Sequence, residues 1–238
     1  MSIEIDKDNL PKHIAIIMDG NRRWAREKHL PDVVGHKEGA ENLKRIAKFA
    51  NQLGIKYMTV YAFSTENWKR AQEEVEALMF LFKKHLTDLL TFDTDVRVKV
   101  IGRRYDLPKD LLEKIEEAEE KTKDHKGMVL NVALNYGGRD EITNATREIA
   151  KEVVDGNLKI EDITEETISN HIYTAGQDDP DLLIRPGGEQ RISNFLPWQV
   201  TYAEFYFPKT YWPAFSEDDL LEAIHVYQTR TRKFGGNK

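Results

Sequence analysis

His13-Ile14-Ala15-Ile16-Ile17-Met18-Asp19-Gly20-Asn21-Arg22-Arg23-Trp24 is the stretch whose reading decides the fold. An unbroken apolar run from Ile14 to Met18 is stopped by a carboxylate and a glycine, the pattern of a buried strand that ends at a turn. In an open α/β sheet, the carboxyl ends of the strands face the ligand crevice. Asp19 is therefore expected in such a crevice, with an amide and two arginines close behind it. A carboxylate beside cations suits a multiply charged phosphate group bridged by a metal ion. The stretch points to a diphosphate ligand.

Working outward, apolar and β-branched runs predict strands at residues 13–18, 57–63, 96–101, 128–135, 182–185 and 203–207. Leu43, Ile46, Ala47, Ala50 and Leu53 repeat at helical spacing, and Gly54 is a C-terminal stop. Residues 107–123 read as a charged surface helix, and residues 140–154 as another, ended by Asp155-Gly156-Asn157. Ser216 with Asp219 resembles a capping box that opens a last helix running towards Phe234. Strands alternating with helices predict an α/β fold, a mostly parallel six-stranded sheet flanked by helices. With no repeat or linker-like tract, one domain over residues 1–238 is expected, residues 1–11 being flexible.

The helix expected at residues 73–90 is unusual. Val75, Leu78, Met79, Phe82, Leu86 and Leu89 keep the core period, while Phe80, Leu81 and Leu90 widen the stripe. An arc that wide asks for burial on two sides. Packing between the sheet and a dimer partner would explain it, and so would the lining of a greasy channel.

Composition excludes several classes. The formal charge of −6 over 238 residues argues against nucleic acid held by general electrostatics. The chain has no cysteine, which rules out disulfides, thiol catalysis and cysteine-built metal sites. Neither a signal-peptide core nor an apolar run of about 18 residues is present, so a cytoplasmic protein is expected. Peripheral contact with a membrane stays open.

Met18-Asp19-Gly20-Asn21, Arg23-Trp24 and Gly35-His36-Lys37 together resemble the first signature of the cis-prenyltransferases, in particular the bacterial undecaprenyl diphosphate synthases. Ala62-Phe63-Ser64-Thr65-Glu66-Asn67-Trp68-Lys69-Arg70 and Arg185-Pro186-Gly187-Gly188-Glu189-Gln190-Arg191-Ile192-Ser193-Asn194 extend the likeness, which reaches from about Lys12 to Gly236. Such enzymes thread a growing isoprenoid through an apolar tunnel between sheet and helices. The implied reaction condenses several isopentenyl diphosphates onto an allylic diphosphate such as farnesyl diphosphate. A long polyprenyl diphosphate of undecaprenyl type, a lipid-carrier precursor for cell-wall synthesis, is the implied product.

The resemblance also implies roles. Asp19 is expected to bind Mg2+ and the diphosphate, although by residue type it could equally cap the following helix. Gly20, Asn21, Arg22, Arg23, Trp24 and His36 are expected around the allylic diphosphate. Ser64, Thr65, Glu66, Asn67, Trp68 and Arg70 are expected at the active site, Trp68 stacking on the reacting chain or closing the site. The family names Asn67 as the group that receives the departing proton. A neutral amide is a very poor acceptor, so Asn67 is expected to orient substrate while a diphosphate oxygen or relayed water takes the proton. Arg185, Arg191, Ile192 and Ser193 are expected to hold the diphosphate of isopentenyl diphosphate. Glu204 matches the glutamate that completes the magnesium site, near the partner subunit in homodimeric members.

Four positions depart from the family. Arg22 sits where relatives often have glycine. Asp32 stands where many relatives carry an arginine, so a cation for the allylic diphosphate is either missing or supplied elsewhere, by Arg26 or Lys28. Pro186 replaces a threonine, and Lys233 an arginine in a tail resembling the one that reaches the partner's site. Two rival readings remain. Asp19 as the nucleophile of a phosphotransferase would want a second carboxylate at position 21, where Asn21 stands. A catalytically silent partner subunit would tend to lose the aspartate and arginines that this chain keeps.

Overall fold

The computed structural model of the chain describes residues 3–90 and 95–231, the side chains of residues 88–90 excepted. Six strands form one sheet: β1 (His13–Ile17), β2 (Tyr57–Ser64), β3 (Arg97–Ile101), β4 (Val129–Tyr136), β5 (Leu182–Ile184) and β6 (Glu204–Tyr206). Their order is β3-β4-β2-β1-β5-β6, and every pairing is parallel. β1 and most of β2 and β4 are buried on both faces, which is why their sequences read as continuous apolar runs rather than alternations. Each predicted strand is present, with ends moved by one or two residues at most. The sheet is wholly parallel.

Helices α1 (Asn21–Glu27), α2 (Asp32–Leu53), α3 (Gln72–Leu90), α4 (Lys109–Thr122), α5 (Gly138–Val154), α6 (Glu165–Ser169) and α7 (Glu217–Thr229) complete the fold. Gly54 ends α2 in the left-handed conformation, its N–H returning to Ala50 and Asn51 carbonyls. Ser216 and Asp219 form the expected capping box of α7, an arrangement worth about 1 kcal/mol. α7 stops at Thr229, earlier than the sequence predicts. Arg230 turns extended there and donates from Nη1 to the Phe205 carbonyl, 3.0 Å, and to Glu204, 2.7 Å. Phe234 and the tail around Lys233 lie outside the described residues.

Two hydrophobic clusters sit on the sheet's two faces. The larger takes Ile14, Ile16, Met58, Val60 and Leu130 with α2, α3, α4 and α7, and the smaller takes Ala15, Ile17, Tyr136, Leu183 and Phe195. The segment before β1 is tied down by α7. Gln228 donates to the carbonyls of Asp6 and Asn9, and Asp6 N–H donates back to Gln228. Among the described residues no helix is long and apolar enough to cross a membrane.

The strand order positions the site. From β1 the chain winds through α2 to β2 on one side, whereas β5 leads to β6 on the other. The crevice beyond the carboxyl ends of β1 and β5 is thus the topological switch point of the sheet, where open α/β folds place ligands. Asp19 follows β1 and Arg185 follows β5.

Candidate active site

Asp19 and Arg185 meet directly in that crevice. Arg185 donates to Asp19 Oδ2 from Nη2 at 2.9 Å and from Nε at 3.2 Å. The other oxygen, Oδ1, lies 3.1 Å from Arg23 Nη2 and accepts the Gly20 N–H at 2.6 Å. Burial alone would raise this carboxyl, but hydrogen bonding and charge from Arg185, then Arg23, outweigh it and hold Asp19 below its ordinary range. The helix cap of α1 is Gly20, so Asp19 is not spent on capping. It is an ionised carboxylate, about a quarter exposed, on the wall of a cavity.

The loop after β5 is stitched to the turn after β1. Arg185 Nη1 donates to Ser193 Oγ at 2.9 Å and to the Arg191 carbonyl. Arg23 Nη1 donates to the Gly187 carbonyl at 3.0 Å. Gly187 has φ +91, and a side chain there would meet the Arg23 guanidinium at 2.8 Å, so only glycine suits the contact. Pro186 lies between two pinned residues, since Arg185 N–H donates to Tyr206 and Gly187 N–H to Thr210. The Arg191 guanidinium is exposed and pairs with Glu189, which stands 3.8 Å from Arg23. Ile192 packs on the smaller core cluster. Beneath, buried Glu141 accepts from Tyr136 OH, Gln199 Nε2 and the Tyr173 N–H, and burial pushes its carboxyl up.

After β2, Ser64 opens a 3₁₀ turn, Thr65–Lys69. Asn67 reaches back so that its Oδ1 accepts the Ser64 N–H at 3.0 Å. Ser64, Asn67 and Arg70 line the cavity. Glu66 accepts from Asn194 at 3.0 Å, joining this turn to the loop after β5. Trp68 is not brought to the cavity. Its indole N–H donates to Asn135 Oδ1 at 2.8 Å and its ring meets Phe63 edge-on at 5.1 Å, so it braces the turn.

The cavity holds about 300 Å³. Its mouth is polar, with Asp19, Asn21, His36, Asn67, Arg70, Arg185 and Ser193. Its depth is mostly apolar, walled by Leu43 of α2, Leu78, Leu81, Phe82 and Leu86 of α3, and Phe63, Val100, Val132 and Leu134 of the sheet. The surplus apolar arc of α3 is thereby explained in part, Leu81 facing the cavity while Phe80 points outward and is 69% exposed. At the mouth, His36 Nε2 and Asn21 Oδ1 are buried without a hydrogen-bond partner among the described residues. Burial, then the charges of Arg70 and Arg22, lower the His36 pKa, so its ring is neutral at pH 7. Buried polar atoms left unpaired in this way call for a partner that the described residues do not supply.

Asp32 has consequences that the sequence reading did not anticipate. It takes Arg26 on both oxygens, at 2.8 and 2.9 Å, and Arg22 Nε at 2.7 Å. Lys28 lies over the Trp24 ring, 4.9 Å from its centroid. Neither Arg26 nor Lys28 is thus presented to the cavity. At this rim Arg70 lines the cavity and Arg22 stands next to it, the two sharing Glu74 at 3.0 and 3.6 Å.

Glu204 is not brought to Asp19. It pairs in register with Leu182, which pairs with Ile14, so it stands level with the start of β1 while Asp19 lies beyond its end. Its carboxylate is bound by Arg230. Among the described residues no three His, Cys, Asp or Glu side chains are grouped to hold a metal ion. One ionised carboxylate facing a cavity does fit Mg2+, which takes one or two protein carboxylates and completes its shell with water and substrate phosphates.

Sequence reasoning missed the brace behind Asp19. Trp212 N–H donates to the Asp19 carbonyl at 2.9 Å, and its indole N–H to the Gly39 carbonyl of α2 at 2.7 Å. Asn42 of α2 donates to the Trp212 and Phe215 carbonyls. The Tyr211 ring lies under the Arg23 guanidinium, 5.1 Å away, and its hydroxyl donates to Glu27. Tyr61, at the cavity wall, donates to the Tyr136 and Ser193 carbonyls and stacks on Phe195 at 4.5 Å. A polar atom in the middle of an apolar run, as at Tyr61, is the one signal that could have been read.

Comparison with known proteins agrees with this geometry. A family model described as "Putative undecaprenyl diphosphate synthase" matches residues 17–235. An isoprenyl transferase of Clostridium tetani is 50% identical over 235 residues, 98% of this chain and 92% of that protein. One from Listeria innocua is 49% identical, covering 95% and 91%. Among solved structures, lavandulyl diphosphate synthase from Lavandula x intermedia, in complex with dimethylallyl diphosphate, superposes with a TM-score of 0.91 at 41% identity, covering 95% of this chain and 98% of that one. A "probable undecaprenyl diphosphate synthase" from Campylobacter jejuni gives 0.79 at 33% identity, covering 95% and 99%.

Proposed function

The chain belongs to the undecaprenyl diphosphate synthase family of prenyltransferases, and we propose that it adds isopentenyl diphosphate repeatedly, with cis geometry, to farnesyl diphosphate to give undecaprenyl diphosphate. The observation that carries this reading is the join between a charged mouth and an apolar bore. A phosphate-binding cluster alone would suit many enzymes. Asp19, Arg185 and Ser193 opening directly into a cavity lined by Leu78, Phe82 and Leu86 suit an amphiphile with a diphosphate head and a hydrocarbon tail.

In the proposed reaction, Arg185, Arg191 and Ser193 hold the diphosphate of isopentenyl diphosphate. The allylic diphosphate lies between Asp19, His36 and Arg70. Asp19 would hold Mg2+, which when bound would supply charge neutralisation to the departing diphosphate. The terminal alkene carbon of isopentenyl diphosphate bonds to the allylic carbon as the allylic C–O bond breaks. A proton then leaves the adjacent methylene for a diphosphate oxygen or water. Asn67, whose Oδ1 is committed to Ser64, presents its amide N–H groups and orients the anion. Arg185 and Arg23 are preorganised by Asp19, Ser193 and the Gly187 carbonyl, so little reorientation is needed as charge develops.

A homodimer is part of the proposal. Glu204 lies on edge strand β6, away from Asp19 of its own chain, so it would serve a metal ion only at the site of a second copy. Peripheral docking on a membrane for release of so apolar a product belongs to it as well. A phosphotransferase using Asp19 as nucleophile is disfavoured, since both carboxylate oxygens are held by arginines.

The test is product analysis. Farnesyl diphosphate, labelled isopentenyl diphosphate and Mg2+ should give a long cis-polyprenyl diphosphate, and excess chelator should stop incorporation. Absence of label in polyprenyl product, with phosphate released from simple monoesters instead, would overturn the reading.

A further inference from the structure

The rim arginines show a division of labour that deepens, and rests on, the prenyltransferase reading. Arg26 clamps both oxygens of Asp32 in a two-pronged fork. That fork fixes the carboxylate at the start of α2. Arg22 is gripped by the same carboxylate through Nε, at 2.7 Å. Its outer nitrogens are left for other partners, and Nη1 lies 3.6 Å from Glu74 Oε1. The same Glu74 oxygen takes Arg70 Nη1 at 3.0 Å, and Arg70 lines the cavity mouth together with His36.

We propose that Asp32 is a positioning residue that holds Arg22 by its Nε so that the Arg22 outer nitrogens, beside Arg70, bind the diphosphate of the allylic substrate once that anion displaces Glu74. An arginine side chain alone spreads over many rotamers, and binding must then order it. Gripping Nε removes much of that cost while leaving the outer fork for a phosphate, whose geometry it matches. Asp32 is about one-third exposed, so its pairs contribute little to stability and their effect is geometric. The hydrogen bonds of Arg26 and then Arg22 bring its carboxyl to about 2, and it stays ionised in any working buffer. The four groups form a relay, Arg26 to Asp32 to Arg22 to substrate.

The experiment measures KM for farnesyl and isopentenyl diphosphates in full-length wild type, Arg22→Ala, Asp32→Ala, Asp32→Glu and the Arg22→Ala/Asp32→Ala double variant. Binding of unreactive farnesyl thiodiphosphate is measured alongside by calorimetry. Each single alanine variant should raise the farnesyl KM and the analogue Kd about tenfold, the size expected for one charge-assisted contact. KM for isopentenyl diphosphate should stay within about twofold. The double variant should be no worse than Arg22→Ala, and Asp32→Glu should recover part of the loss. Multiplying effects in the double variant, a fall in farnesyl KM on removing Asp32, or an equal rise in isopentenyl KM would overturn the role of Asp32 while elongation by wild type left the parent reading standing. Failure of wild type to bind the analogue would overturn both.

Discussion

The carboxamide oxygen of Asn67 accepts the backbone N–H of Ser64 at 3.0 Å. That bond fixes which end of the amide turns to the cavity, because the N–H of Ser64 can be satisfied only by oxygen. What Asn67 can offer a ligand is its NH2 group, a donor. A proton acceptor and an anion-binding donor respond oppositely to one substitution. Asn67→Asp keeps an oxygen for Ser64 but replaces the donor by a negatively charged, more basic oxygen. We expect Asn67→Asp to lower kcat/KM for isopentenyl diphosphate at least about tenfold below Asn67→Ala, by like-charge repulsion. Asn67→Asp activity at or above that of Asn67→Ala in steady-state assays would restore the acceptor role.

Asp19 gives the second expectation. Asp19→Ala should abolish turnover while the fold survives, since Arg185 keeps the Arg191 carbonyl and Ser193 Oγ as acceptors. The loss in label incorporation should exceed about a thousandfold. A circular dichroism spectrum like wild type would separate this from unfolding. Since the arginines hold the Asp19 carboxyl below its ordinary range, the carboxylate is ionised above that range and protonates only in more acidic solution. An acid limb of the wild-type kcat/KM profile near pH 6 must then come from another group, such as the substrate diphosphate. Retained incorporation by Asp19→Ala would contradict the assignment.

These two expectations show where sequence stops being readable. β1, β2, β4 and β5 were legible because strands buried on both faces write themselves as apolar runs, as Ile14–Ile17 does, and the half-exposed β3 and β6 because β-branched and aromatic residues favour strands. Asp19 was legible as a strand-end carboxylate, and Arg185 likewise. That the two touch was not, because contact depends on β1 and β5 being neighbours, and adjacency in a sheet is set by packing rather than by any local pattern. Asp32 reads from sequence as a missing cation, and only the crossing of α1 over α2 reveals that it occupies Arg26 and Arg22. Glu204 shows the same limit in reverse. Its residue type suited a metal ligand, and strand register put it at the other end of the sheet. Trp212 and Tyr211 carry no local signal, since a brace is defined by partners far away in sequence.

His13 predicts how stability depends on pH. It is fully buried, with Nδ1 2.6 Å from the Asp178 carbonyl and Nε2 2.7 Å from Thr59 Oγ1. Burial lowers its pKa from 6.5 to about 4, so it is neutral in the fold. Between those values the unfolded chain binds a proton that the folded chain does not, and stability therefore rises with pH there. The contribution is complete above about pH 6.5 and is lost as pH falls towards about 4, amounting to roughly 3 kcal/mol. Urea unfolding at pH 7.5 and pH 5 should show about 2 kcal/mol of this fall in wild type. A His13→Gln variant, less stable at both, should show a smaller difference between them. An equal difference in the variant would place the pH dependence elsewhere.

Gly35 provides a test of how α1 is held on the site. A β-carbon built at Gly35 of α2 would stand 2.0 Å from the Asn21 carbonyl oxygen and 3.1 Å from the Ala25 side chain. Backbone cannot swing aside as a side chain can, so Gly35→Ala must push α1 away from α2. α1 carries Arg22 and Arg23, and Arg23 joins Asp19 to the loop at Gly187. Overpacking of this kind costs about 1–3 kcal/mol, against which the better helix propensity of alanine returns less than about 1. We expect a lower melting temperature and a kcat loss larger than the stability loss alone would cause at assay temperature. Gly54→Ala is the control, because nothing lies within 4 Å of its β-carbon and its φ of +95 makes it equally costly to the fold. If both variants melt earlier but only Gly35→Ala loses turnover, the spacing of α1 from α2 governs the chemistry, whereas parallel losses would reduce Gly35 to a packing residue.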